Sequence, residues 1–215
     1  MFKSFLIVSS LAVSVIGAAA QAPFQGTITF KGENKTISET SEVQWSVKDG
    51  NSRLDITSHT KEAPSASYSL YFVQGQEGVK MTADGGNGKK VIYDVPYSAF
   101  ANTEFTSAFS VEATGQKATY AGFECEEYVV KTANTVVSCW VSKSTGISTA
   151  SFPSVIIGRG VFSILQRNGV QGIPLKIVSK DFAGNVILDQ EVVSIQAGPV
   201  QDNTFVIPAG YQKAN

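Results

Sequence analysis

The sequence predicts a mainly β protein whose antiparallel strands follow one another along the chain. Apolar and polar residues alternate over many short runs, which is the period of a strand with one buried face. Turn residues such as Asp49-Gly50 and Gly184-Asn185 separate these runs. Roughly ten such runs occur in sequential order, which is typical of an antiparallel sheet, barrel or sandwich.

The first strands carry the clearest pattern. Phe24 to Lys31 alternates as a half-buried strand, and Glu42 to Lys48 leads into the preferred hairpin turn Asp49-Gly50. A two-residue loop at this turn predicts Trp45 opposite Leu54 and Val43 opposite Ile56, which makes one face of the hairpin apolar. The same register, extended outward, predicts His59 opposite Thr40 on the polar face.

The remaining strands are predicted from the same alternation. They span Tyr68 to Gln74, Val79 to Thr82, Lys90 to Val95, Phe123 to Lys131, Val136 to Lys143, Leu175 to Phe182 and Val186 to Ile195. A two-residue turn at Gly184-Asn185 would place Ile177 opposite Val192 and Lys180 opposite Asp189.

Two segments depart from the two-residue period. Pro96 to Phe109 and Pro153 to Gln166 space their apolar residues in a nearly helical pattern, and Asn168-Gly169 is a helix stop signal. Each segment is either a helix covering one face of the sheet or an irregular apolar loop.

The first twenty residues have the pattern of a secretory signal peptide. Lys3 supplies the positive charge, Phe5 to Ile16 the apolar region, and Ala18-Ala19-Ala20 the small residues of a cleavage site before Gln21. The apolar stretch is too short for a comfortable membrane span, and no lipoprotein cysteine lies near the site. We therefore expect residues 21–215 to form a single β-rich domain that is periplasmic or secreted.

Composition excludes several classes of function. The chain has 215 residues, with 17 Lys and Arg against 18 Asp and Glu, and only 16% of its residues are charged. This balance excludes an intrinsically disordered chain and a strongly basic surface for nucleic acid. The single histidine, His59, is read as solvated, and no nucleophile and base are paired in sequence, so we expect neither an enzyme nor a metal or cofactor site.

Cys125 and Cys139 are predicted to form a disulfide, since an exported chain meets an oxidising compartment. Two free buried thiols are the alternative. The register of their hairpin decides the geometry. A two-residue loop at Ala133-Asn134 places the two sulfurs on opposite faces, whereas a three-residue loop at residues 131–133 places them directly opposite each other. A bulge that allows diagonal pairing is a third arrangement.

The C-terminal half resembles a known family. Four pieces carry the resemblance in order: Thr114-Gly115-Gln116-Lys117 with Ala121 to Val130, Trp140-Val141-Ser142-Lys143, Ile173-Pro174-Leu175, and Phe205 to Tyr211. They look like an uncharacterised group of exported bacterial proteins, a domain of unknown function that is similar in fold to the LolA/LolB-like periplasmic lipoprotein carriers. The resemblance implies a curved, incompletely closed antiparallel sheet, a half-barrel, with one or two helices across its mouth and a cavity for acyl chains.

Aromatic and aliphatic residues around the sheet and its predicted covers are the candidate ligand-binding set, because ligand sites are concave and mostly apolar. The set comprises Tyr68, Phe72, Phe100, Phe105, Phe152, Ile156 and Phe162. They predict non-catalytic binding or carriage of a hydrophobic or lipid-like ligand. The alternative is a structural or protein-interaction module of the cell envelope with a filled core.

Overall fold

The structure, a computed structural model, describes residues 24–61, 65–76, 78–84, 89–100, 110–147 and 160–214, with only the backbone of Phe100. The predicted signal peptide lies outside these residues. The described residues form twelve strands: β1 Gly26–Asn34, β2 Glu39–Lys48, β3 Asn51–Thr60, β4 Ala66–Phe72, β5 Gly78–Asp84, β6 Lys90–Pro96, β7 Ser110–Tyr120, β8 Phe123–Lys131, β9 Val136–Ser142, β10 Ile173–Lys180, β11 Val186–Ala197 and β12 Gln212–Lys213. Within the described ranges the one α-helix, α1, spans Gly160–Arg167.

All twelve strands form one sheet in the order β12-β6-β5-β4-β3-β2-β1-β11-β10-β9-β8-β7. Two meanders, β1 to β6 and β7 to β11, are joined where β1 pairs with β11, and the sheet is not closed. Every described pairing is antiparallel except the short parallel contact of β12 with β6. The predicted class, a curved and incompletely closed antiparallel sheet with a covering helix, is confirmed.

The hairpin of β2 and β3 has the predicted register. Trp45 lies opposite Leu54, Val43 opposite Ile56, and His59 opposite Thr40. Asp49 and Gly50 both have positive φ, 49° and 76°, as a two-residue turn that follows the twist of the strands requires. Local turn chemistry and the apolar pattern agree here, and the register follows from both.

The predicted register of the β10–β11 hairpin is wrong. Ile177 lies opposite Gln190, not Val192, and Lys180 lies opposite Val186, not Asp189. The turn contains five residues, 181–185, because Asp181 closes it: the backbone N–H of Asn185 donates to Asp181 Oδ1 at 2.8 Å, and Gly184 N–H donates to Asp181 O at 3.0 Å. The Asp181 carboxylate thus holds the far end of the turn through a residue four positions along the chain, a closure that a two-residue interpretation of Gly184-Asn185 overlooks.

The predicted helical segments are described only in part. The first begins with a single 3-10 turn at Tyr97–Phe100, and its residues 101–109 lie outside the described residues. The second contains α1, while residues 153–159 are also outside. The stop at Asn168-Gly169 is confirmed: Gly169 has φ 76°, its N–H donates to Gln166 O, and Val170 N–H donates to Leu165 O at 2.9 Å, which is a Schellman motif.

Helix α1 packs its apolar stripe on one face of the sheet, which we call the helix face. Its buried residues Val161, Ile164 and Leu165 belong to one core cluster with strand residues of β8 and β9. Those strand residues are Tyr128, Val130, Val137, Cys139 and Val141. An eight-residue helix is too short to be stable alone, so this packing holds it in place.

The predicted disulfide between Cys125 and Cys139 is wrong, because both are free and buried thiols. The register places Cys139 opposite Tyr128, which is the two-residue loop at Ala133-Asn134 and puts the sulfurs on opposite faces of the sheet. Cys139 packs in the α1 cluster, and Cys125 packs in a second cluster with Ile147. Burial raises the pKa of Cys139 to about 12 and also raises that of Cys125, so both stay protonated and unreactive at neutral pH.

We expect neither thiol to react with iodoacetamide in the native protein at pH 8, since the thiolate is the reactive form. Unfolding in guanidinium without reductant is expected to add two carbamidomethyl groups per chain, as measured by intact mass. A denatured chain that accepts no label until it is reduced would instead demonstrate the disulfide.

Candidate functional site

The candidate site is an apolar pocket on the helix face, between α1 and the strands where the two meanders meet. Its volume is about 190 Å³. The described lining consists of Phe30, Val43, Trp45, Leu54, Ile56, Phe162, Pro174, Leu175, Ile177 and Gln190. Nine of these ten side chains are apolar, and only Gln190 is polar, the composition expected of a site for an apolar group.

The strand register positions the lining in two adjacent rows. Opposed residues of paired strands share a face. Phe30, Val43 and Ile56 are successive partners across β1, β2 and β3. Trp45 and Leu54 form the next row towards the β2–β3 turn. The alternation that predicts the β2–β3 hairpin therefore produces most of the pocket wall.

The floor of the pocket is buried, and the polar nitrogen of Trp45 has a hydrogen-bond partner within the protein. Trp45 and Leu175 are 3% and 1% exposed. The Trp45 indole N–H donates to Ser52 Oγ, which is itself buried, and the Trp45 ring lies 6.1 Å from the Phe30 ring. Since the indole nitrogen is already bonded within the protein, it offers the pocket only apolar surface.

A bulge in β10 brings two further residues into the wall. The pairing of β10 with β9 shifts between Pro174 and Lys176, because Pro174 has no N–H to donate to the ladder. Leu175, the extra residue, joins the central core cluster, and Ile177 packs against the α1 cluster. The shift therefore brings neighbouring residues of one strand into contact with both clusters.

Phe162 forms the α1 side of the pocket. Its side chain is partly exposed and contacts both the central cluster and the α1 cluster. The neighbouring helix residues Val161 and Ile164 are buried against the sheet, so Phe162 sits on the rim of the helix stripe. Of the predicted ligand-binding residues whose side chains are described, Phe162 lines this pocket, whereas Tyr68 and Phe72 do not.

The other predicted residues lie elsewhere or outside the described part. Phe72 is buried in a third cluster, with Leu70 and Val79, and Tyr68 packs on that cluster beside the pocket row. Phe105, Phe152, Ile156 and the Phe100 side chain lie outside the described residues. The pocket residues that the sequence analysis missed belong to strands whose alternation it recognises. What the sequence did not show is that β1 pairs with β11, which brings these strands together around one pocket.

The opposite, outer face of the sheet carries charged groups that bond to one another. Lys176 Nζ lies 2.5 Å from Asp189 Oδ1 and 3.0 Å from Glu191 Oε2. Burial alone would lower the pKa of Lys176, but its hydrogen bonds to Asp189 and Glu191 outweigh that effect and raise it. With one cation between two carboxylates, this cluster is an ion-pair network that keeps a net negative charge.

Other chemical candidates in the described residues are dispersed. His59 is exposed and its Nδ1 lies 2.6 Å from Ser65 Oγ. Glu124 and Glu126 form separate ion pairs, with Lys117 and Lys143. Within the described ranges, no three His, Cys, Asp or Glu side chains are placed to hold a metal ion, and no helix there is long and apolar enough to span a membrane.

The fold is an open antiparallel β sheet with an apolar pocket under a short helix, and sequence comparison gives the family. A family model described as a domain of unknown function, DUF4412, matches residues 24–211, so the chain belongs to that family. The predicted membership of an uncharacterised family is thereby confirmed. No curated protein matches the sequence.

Solved structures extend the comparison of the fold. MucB is similar with a TM-score of 0.50 and 13% identity over 89% of this chain, and its complex, Pseudomonas aeruginosa MucA/MucB, with 0.50 and 15% over 87%. The chain spans 60% and 56% of those two chains. An uncharacterized conserved protein from Thermus thermophilus has a TM-score of 0.52 and 11% identity, with 90% of this chain and 93% of that one covered. These likenesses establish a shared fold.

Proposed function

We propose that this protein is a non-catalytic binding protein of the cell envelope that holds the apolar part of a hydrophobic ligand in the pocket beneath Phe162. The observation that carries the proposal is the pocket itself, whose described lining is apolar except for Gln190. The signal-peptide pattern of residues 1–20 supports export to the periplasm. The protein would bind its ligand by removing apolar surface from water.

The pocket volume sets the size of the ligand group. An apolar cavity of about 150 Å³ is sufficient to bind benzene, so about 190 Å³ accepts an alkyl segment of similar or slightly greater carbon number. Each buried CH₂ contributes about 0.8 kcal/mol before the costs of association. The pocket is smaller than the several hundred Å³ usual for whole drug-sized ligands, which favours one chain segment over an entire lipid.

Lipid extraction and mass spectrometry test this proposal on protein purified without detergent from the periplasm of a Gram-negative host. We expect a co-purifying alkyl or acyl species at near-stoichiometric amount. Val43→Phe, which fills the pocket, is expected to reduce that species at least about tenfold, a loss of about 1.4 kcal/mol. Val193→Phe is the matched control, because Val193 is 43% exposed and is not part of the pocket lining.

Equal amounts in all three proteins, or none in any of them, would overturn the proposal. Circular dichroism of each variant shows whether it is folded, so that loss of ligand is not confused with loss of structure. A wild-type protein that also fails to take up a fluorescent fatty-acid probe would contradict it independently.

A protein-binding role in the envelope is the second candidate. The similarity in fold to MucB, which has been solved with MucA, favours it. Among the described strands, β7 forms one end of the sheet order, where a partner's extended segment has hydrogen-bonding groups to meet. Chemical cross-linking in the periplasm that captures a protein on β7, in a preparation free of bound lipid, would favour this role over the first.

A further inference from the structure

The helix face changes from apolar to polar at one edge of the pocket. Beyond the row of Phe30 and Val43, the next row across β11, β1, β2 and β3 consists of small or uncharged residues. Its members, in order across the strands, are Gln190, Gly32, Ser41 and Ser58. We call this row the polar shelf. Since Gln190 also lines the pocket, the shelf and the apolar pocket are continuous.

Because Gly32 has no side chain, it leaves space on the polar shelf between Ser41 and Gln190. A Cβ at this position would lie 3.2 Å from Ser41 Oγ and 3.7 Å from Gln190 Cγ, so both side chains lean over the glycine. The Ser41 and Ser58 hydroxyls and the Gln190 amide can each donate and accept hydrogen bonds. The shelf therefore offers hydrogen-bonding partners at the end of the pocket where the polar part of an alkyl ligand would emerge.

The electrostatic setting of the shelf disfavours an anion. None of the described residues that line the pocket or form the shelf is charged. The next row beyond the shelf contains Glu39, opposite Asn34 and Thr60. Burial chiefly, and then the negative charge of Glu39, raises the pKa of Tyr68, which neighbours Ile56 of the pocket row. Among the described residues of the pocket and the shelf, a carboxylate or phosphate would lose water without gaining a cationic partner, and it would face Glu39.

We propose that the pocket and the polar shelf together select alkyl ligands whose polar head is uncharged, such as an amide, ester or alcohol, over ligands with an anionic head. This inference rests on the proposed function, because it assumes that the pocket holds an alkyl chain. The apolar rows bind the chain, and the shelf hydrogen-bonds the head. The uncharged shelf and the nearby Glu39 disfavour an anionic head relative to an uncharged one.

Octanamide and octanoate test the inference, because they have the same chain length and nearly the same shape but differ in charge at pH 8. Binding is measured by isothermal titration calorimetry on the full-length mature protein, with Trp45 fluorescence in a Trp140→Phe background as a second readout. We expect octanamide to bind at least about tenfold more tightly than octanoate, a difference of about 1.4 kcal/mol.

Ser41→Lys places a cation on the shelf and is expected to reverse the preference, so that octanoate binds more tightly than octanamide. Gln44→Lys is the matched control, because Gln44 is exposed on the other face of the same strand and should leave the preference unchanged. Equal or tighter binding of octanoate to the wild-type protein would overturn the head-group inference and leave the pocket's role intact. If neither compound binds, the proposed function itself is overturned.

Discussion

Gly172→Ala is expected to lower the free energy of unfolding by about 3 to 5 kcal/mol, the largest effect of any single methyl group predicted here. Gly172 has φ 102° and directly precedes β10. A Cβ there would lie 2.2 Å from the carbonyl oxygen of Ser142 and 3.2 Å from Val141 Cγ1. Ser142 is fully buried and paired with Ile173, so the backbone cannot move away without breaking the β9–β10 ladder.

Gly184→Ala is the control for this prediction, measured by guanidinium unfolding followed by circular dichroism. Gly184, in the β10–β11 turn, has a comparable positive φ of 87°. Among the described residues, however, no atom beyond its chain neighbours lies within 4 Å of the position that a Cβ would take. We expect it to cost only the conformational strain, about 1 to 2 kcal/mol. An equal loss of unfolding free energy in both variants would show that the backbone of Gly172 does not lie close to the carbonyl oxygen of Ser142.

Ile164→Ala is expected to cost about 2 to 4 kcal/mol of unfolding free energy. Ile164 is 1% exposed and lies between α1 and the sheet, in the cluster that includes Cys139 and Val137. Because the eight-residue helix depends on this packing, the variant should also loosen Phe162 over the pocket and weaken ligand binding.

Gln166→Ala is the matched variant, since Gln166 is exposed on the same helix. Its cost should stay within about 0.5 kcal/mol, as for most surface substitutions. Guanidinium midpoints measure both costs, and calorimetry with octanamide measures the effect on binding. An Ile164→Ala protein as stable as Gln166→Ala would contradict the packing of α1 on the helix face.

The success and failure of the strand predictions have one physical origin. Asp49-Gly50 specifies a two-residue turn by its own backbone preference, and the register of β2 and β3 follows from it. The β10–β11 turn is closed by the Asp181 side chain, which competes with the two-residue alternative at Gly184-Asn185. The strand register depends on which of the two turn geometries has the lower free energy. The alternation of apolar and polar residues alone does not show which geometry that is.

The cysteine hairpin also has a register that alternation alone does not determine, and here the register decides whether a disulfide can form. Sequence spacing leaves three registers for their hairpin, and the structure has the one with a two-residue loop at Ala133-Asn134. Thr132 N–H donates to Thr135 O at 2.9 Å and its hydroxyl receives the N–H of Thr135, which fixes the two-residue loop and sends Cys125 and Cys139 to opposite faces. Export and an even number of cysteines are therefore insufficient grounds for predicting a disulfide.

By itself, the sequence determined ten of the twelve described strands, all but β7 and β12, together with the confirmed β2–β3 register, the end of α1 and the apolar character of one sheet face. Those features arise from neighbours within a few residues. The tertiary structure decided the rest of the candidate site. The pairing of β1 with β11 unites residues more than 150 positions apart, such as Phe30 and Val192, and the position of α1 adds Phe162 to them. Such long-range contacts carry no periodic signal along the chain, so the pocket and its polar shelf emerge only when the sheet is assembled.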